Sequence, residues 1–223
     1  MKMKKNKPIY FILMFLPIIT TIIALFFLPP KIPAHYDATG AVTRFGSKYE
    51  TLILPLITIP FGFFMLAMAK FSSKSESNNN NNNENVTVIG GIITLIVFNV
   101  MNCYFLYTDF KQVTNLSDMN IDLNSLLFAC LGIGFIIIGN IMPKAKLNSI
   151  VGLRTKWSMK NEMTWKKSQR FGGITFIASG LLIALGCILF FRGMNAFLWS
   201  FTIMTIMLIA DLTYSYQVSK DTK

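Results

Sequence analysis

The sequence predicts an all-α, polytopic membrane protein with six transmembrane helices and both termini in the cytoplasm. Three observations predict it: an apolar composition, six apolar runs of spanning length, and a lopsided distribution of positive charge. Of 223 residues, 53% are hydrophobic and only 14% charged, against about 25% charged in ordinary soluble domains. Mean hydropathy is +0.51, and twenty Phe and thirteen Met leave too little polar surface to wet a globule of this size. A soluble enzyme is excluded, and so is a disordered chain, which needs low hydrophobicity. Cys103, Cys130 and Cys187 lie inside apolar runs without metal-ligand spacing. They read as small buried apolar residues and not as a disulfide framework.

A membrane helix takes about 20 residues to cross the hydrocarbon core. Runs of that length fall near 8–28, 51–69, 86–107, 123–142, 171–191 and 194–216. The first five hold no ionisable acid or base, and Asp211 alone interrupts the sixth. Pro17, Pro55 and Pro60 do not argue against helices, because membrane helices tolerate proline. The opening MKMKKNK imitates a signal peptide, but its apolar run is too long and lacks a small-residue cleavage site, so an uncleaved first span is expected.

Orientation follows from the basic residues of the connections. Sixteen Lys and Arg lie in the N-terminal segment, the second and fourth loops and the tail, against five in the other three loops. By the positive-inside rule this puts both termini on the cytoplasmic side of a cell membrane. The basic charge is therefore topology, and no direct nucleic-acid contact is implied.

The expected organisation is uneven. Residues 1–70 form a two-helix hairpin with an ordered external loop, 71–85 an Asn-rich cytoplasmic linker that cannot bury a core, and 86–223 a four-helix unit. The external loop, 29–50, holds the one histidine. Prolines 29, 30 and 33 restrict its entry, and Asp37-Ala38-Thr39-Gly40 offers a turn in which glycine adopts positive φ. His35 with Asp37 offers too few ligands for zinc, so no metal or cofactor is expected. A compact cap, with His35 bonded to backbone, is the simpler reading. Such a loop on an outer face is a candidate for meeting an external partner.

The loop 143–170 carries eight basic residues and one acid, Glu162. Ser158 suits the N-cap of a short helix over 159–170 lying on the anionic lipid of the inner leaflet, with Trp157 and Trp165 in the headgroup zone. The simpler alternative is a charge anchor that only enforces orientation. Within the spans, Asn99, Asn102, Asn124 and Asn140 are expected to bond between helices, and Gly180 and Ala184 to allow close packing. Asp211, near the cytoplasmic end of its span, reads as structural.

Two stretches carry a resemblance. IPAHYDATGAVTRFGSK, from Ile32 to Lys48, resembles the signature of a small two-helix membrane domain of unassigned function. GLRTKWSMKNEMTWKKSQRFGG, from Gly152 to Gly173, resembles the hallmark of the SdpI family, whose bacterial members combine the two modules in this order. Lys156 stands where that pattern has Pro, and Gln169 where His is common. The resemblance implies a non-enzymatic immunity protein that protects a producing cell from its own secreted peptide toxin (bacteriocin-type toxin resistance). It also implies signal transduction, with a cytoplasmic transcriptional repressor held at the membrane. The residues it points to are His35, Tyr36 and Gly40 as toxin contacts outside, and Gly152, Arg154, Thr155, Trp157, Asn161 and Trp165 as the cytoplasmic motif. Two rivals remain at this point. A small transporter or channel usually needs polar groups near the midplane. An intramembrane enzyme needs a nucleophile with a base, or a metal cluster, and no catalytic residue is identified.

Overall fold

The computed structural model describes residues 3–37, 39–73, 82–148 and 152–221. Its helices are α1 (Met3–Leu25), α2 (Ile53–Ser73), α3 (Asn82–Lys111), α4 (Leu123–Ile141), α5 (Glu162–Leu189) and α6 (Gly193–Asp221). Six segments, one per helix, are long and apolar enough to cross a membrane. Their large apolar side chains are extensively exposed: Ile12 on α1, Leu56 on α2, Ile188 on α5 and Ile206 on α6 are each more than half accessible. In water such a surface would aggregate; in lipid it is solvated.

What is buried instead is small or hydrogen-bonded. Helices α4 and α5 make the closest pair. A Cβ added at Gly139 would lie 2.6 Å from the Gly173 carbonyl, and one at Gly180 would lie 2.5 Å from that of Gly132. Gly132 and Gly139 are seven residues apart, as are Gly173 and Gly180, so each pair recurs on one face about two turns on. The glycines let two backbones touch along that face.

Helix α1 is fastened to α3 by side-chain amides. Pro17 has no N–H, so the Leu13 carbonyl one turn earlier loses its helical partner. Asn99 supplies it, donating from Nδ2 at 2.8 Å. One turn further, Asn102 accepts from Thr21 Oγ1 at 3.2 Å and donates to Thr20 Oγ1 at 3.3 Å. Among the described residues Asn124 and Asn140 make no comparable bond; Asn124 lines a cavity and Asn140 is exposed. Tyr10, Met14, Ala69, Val88 and Leu95 form a core shared by α1, α2 and α3.

Two expected boundaries move. Helix α2 runs to Ser73 and α3 starts at Asn82, so both ends of the expected linker 71–85 are helical; 74–81 lie outside the described residues. The loop after α1 is not only turns. It forms an antiparallel hairpin of β1 (Lys31–Tyr36) and β2 (Val42–Ser47), with Lys31 opposite Ser47 and Tyr36 opposite Val42. Prolines bar the helix from continuing through 29–33, and an extended strand is what their fixed φ allows.

Candidate functional site

The hairpin end of the bundle is built from the turn outward. Asp37 accepts from the Thr39 hydroxyl at 2.6 Å, the Thr39 N–H at 2.8 Å and the Ala41 N–H at 3.1 Å. These bonds, the Thr39 hydroxyl foremost, hold the Asp37 carboxyl below the usual carboxylate range. Gly40 has φ +91°, and a Cβ there would crowd Asn115 and Leu116 at 3.2 and 3.3 Å. Both facts demand glycine. They arise because the hairpin tip docks on the α3–α4 connection. The Leu116 N–H donates to the Gly40 carbonyl at 2.8 Å, the Val42 N–H to that of Thr114 at 2.9 Å, and Tyr36 Oη to that of Val113 at 3.0 Å.

His35 Nδ1 lies 2.6 Å from Thr43 Oγ1, so its ring partner is a hydroxyl across the hairpin and not the backbone. Arg44 grips Glu50 with two parallel bonds of 3.1 and 2.8 Å, which raises the Arg44 pKa from its already high value. Among the described residues no three His, Cys, Asp or Glu come together as a metal-holding group.

Beneath the hairpin lies a cavity of about 800 Å³, within the range of small-ligand sites. His35, Tyr36 and Gly40 all line it. So does Asp109, which sequence reasoning passed over because the third apolar run seemed to end at Tyr107. Asp109 is in fact 4% exposed, on a helix that continues to Lys111. The apolar wall includes Leu54, Ile57, Phe105 and Phe197.

At the other end, where the termini lie, residues 152–161 fold into a knob instead of a helix on a membrane surface. The helix N-cap is Asn161, whose Oδ1 accepts the Thr164 N–H at 2.8 Å. From there α5 runs unbroken into the span. Ser158 is spent elsewhere: its hydroxyl accepts from the Thr155 N–H at 2.9 Å and donates to the Leu153 carbonyl at 2.7 Å. Thr155 Oγ1 returns the favour to the Ser158 N–H at 2.9 Å and sits 3.2 Å from Ser215 Oγ of α6. Gly152, at φ +104°, lets the chain turn against Gln169.

Trp165 does not reach a headgroup zone. It is 2% exposed, packs with Val86 and Ala145, and donates Nε1–H to the Ala145 carbonyl at 2.8 Å. Trp157 is half-buried edge-on against Tyr216, ring centroids 5.2 Å apart, with Lys156 Nζ 5.3 Å from its own centroid. Arg154 is exposed. The six motif residues thus divide. Gly152, Thr155, Asn161 and Trp165 build the knob, while Arg154 and Trp157 reach its surface. Asp211 is buried on α6 and accepts from Thr175 Oγ1 of α5 at 2.7 Å, a helix-to-helix tie.

Residues 144–215, which contain the whole knob, all of α5 and most of α6, match the model of the SdpI/YfhL protein family. Uncharacterized protein YfhL of Bacillus subtilis (strain 168) is 32% identical over 94 residues, covering 40% of this chain and 79% of that one. The chain belongs to the SdpI/YfhL family. Residues 12–59, from α1 through the hairpin into α2, match a domain of unknown function. Immunity protein SdpI of the same organism is 27% identical over 222 residues, 98% of this chain and 97% of that one. No solved structure matches. This family member is a multi-pass protein of the cell membrane, as its six apolar spans and its likeness to Immunity protein SdpI support.

Proposed function

We propose that this SdpI/YfhL protein is a membrane immunity protein that protects the cell from a secreted peptide toxin and reports the encounter across the membrane. The observation that carries this reading is similarity to an immunity protein from one end of the chain to the other, hairpin and knob included. Both termini and the knob lie in the cytoplasm, as the basic asymmetry favours, and the hairpin cavity faces outward. Toxin meets His35, Tyr36 and the turn fixed by Gly40. Inside, Arg154 and Trp157 offer an exposed cation and an aromatic face to a cytoplasmic repressor or to anionic lipid. Residues 1–70 act as the receiving hairpin and 86–223 as the transmitting unit. Chemistry has no part in it: the protein works by binding.

The test is survival. Expression in a toxin-sensitive relative should raise survival against the cognate peptide, and Gly40→Val should abolish the gain at unchanged membrane abundance. His35→Ala separates contact from scaffolding, because alanine keeps the backbone and removes the ring. Full protection by a correctly inserted protein with 31–48 replaced by a Gly/Ser linker would overturn the outer contact. In a cysteine-free background, Asn120→Cys should react with an impermeant thiol reagent in intact cells, and Lys156→Cys only after lysis.

A further inference from the structure

The cavity beneath the hairpin holds four acids, and three of them are already engaged. Asp37 is committed to its turn, Glu50 to Arg44, and Asp122 caps α4 by accepting the Ser125 N–H at 2.7 Å. Asp109 is the exception. It is 96% buried, lines the cavity, and its carboxylate has no hydrogen bond or ion pair among the described residues. An uncompensated buried carboxylate is costly. Among the described residues no cation pairs with it. Arg44 is held by Glu50, His35 by Thr43, and Lys48 Nζ by the Leu25 carbonyl at 2.7 Å. Lys111 is exposed and two residues along the helix from Asp109, a spacing that points the two side chains apart.

We propose that the cavity is a receptor for an amphipathic organic cation, whose ammonium group pairs with Asp109 while its apolar body lies against Leu54, Ile57, Phe105 and Phe197. With the other three acids committed elsewhere, the single carboxylate of Asp109 is a poor cage for a metal ion, which needs several oxygen ligands. It is well suited to an amine, whose single charge it matches and whose hydrocarbon the walls desolvate. In the setting of the proposed function, and resting on that reading, the ammonium belongs to a lysine or the amino terminus of the peptide toxin.

The experiment is calorimetric titration of the full chain in phosphatidylcholine nanodiscs, with empty discs as the blank. The probes are 4-phenylbutylamine and 4-phenylbutanol, alike in body and different in charge. The amine should bind saturably and at least tenfold tighter than the alcohol, a comparison that needs no variant. Asp109→Asn should bring the amine down to the affinity of the alcohol, and Asp118→Asn, on the exposed α3–α4 connection, should leave it within twofold. Equal binding of amine and alcohol, or an Asp109→Asn protein that binds amine like the unaltered chain, overturns the proposal. The survival assay reads separately. Amine binding without protection keeps the site and removes the toxin reading, whereas protection without amine binding does the reverse.

Discussion

Gln169 satisfies both backbone groups of Leu153: its Oε1 accepts the Leu153 N–H at 2.9 Å, and its Nε2 donates to the Leu153 carbonyl at 2.9 Å. A fully buried side chain two turns into α5 thereby fixes the path of the loop before that helix. Gln169→Leu should leave the Leu153 N–H unsatisfied and cost about 1–3 kcal/mol. Gln169→Glu keeps the acceptor and loses the donor, and the Leu153 carbonyl retains Ser158. Limited proteolysis of the 152–160 segment and thermal unfolding in nanodiscs measure both.

Gly173 is expected to tolerate nothing larger. Gly173→Leu must push the α5 backbone off Gly139, so it should lower the unfolding temperature well beyond the effect of an ordinary core substitution. Gly90→Ala is the control, since a Cβ there meets nothing within 4 Å. Equal effects of the two would show that the α4–α5 contact does not set stability.

Asn99 and Pro17 should be energetically coupled. Asn99→Leu strands the Leu13 carbonyl, at a cost of about 1–2 kcal/mol. In a Pro17→Ala background the restored N–H at position 17 supplies that carbonyl from within the helix. The same Asn99→Leu change should then cost less, and additive unfolding data would refute the coupling.

The hairpin turn should loosen in acid. The folded Asp37 pKa lies below its ordinary 3.8, so its stabilising contribution is fully present above that value. It is lost as pH falls through the lower folded one. Amide exchange at Thr39 and Ala41 should accelerate selectively over that window, and Asp37→Asn should abolish the pH response.

The spans were legible because twenty uncharged residues have few other fates, and Asn99 and Gly180 because polar and small residues inside such spans seldom face lipid. The hairpin was not. Strand β1 reads as a proline-rich connection until Thr114 and Leu116, more than seventy residues on, supply partners for its turn. The knob failed for a related reason. Ser158 and Asn161 are both good caps by residue type, and only the nearness of Leu153 and Thr155 assigns Ser158 to the loop. Trp165 looked interfacial because sequence does not reveal that the Ala145 carbonyl waits beside it. Asp109 was missed by two residues: the apolar run stops at Tyr107, and the helix continues four further, to Lys111.

The two helices flanking residues 74–81 are stitched together just before the chain leaves one and just after it joins the other. Ser72 Oγ lies 3.1 Å from Thr87 Oγ1, and Asn83 Nδ2 donates to the Ser72 carbonyl at 3.5 Å. Whatever spans that gap is relieved of any duty to hold its ends in register. Its length and composition are free to vary, and four of its eight residues are asparagine. It is therefore the natural seat for a reporter: a fluorescent protein inserted there would hang beneath an undisturbed bundle, and a chain cut there would leave two pieces that still recognise each other.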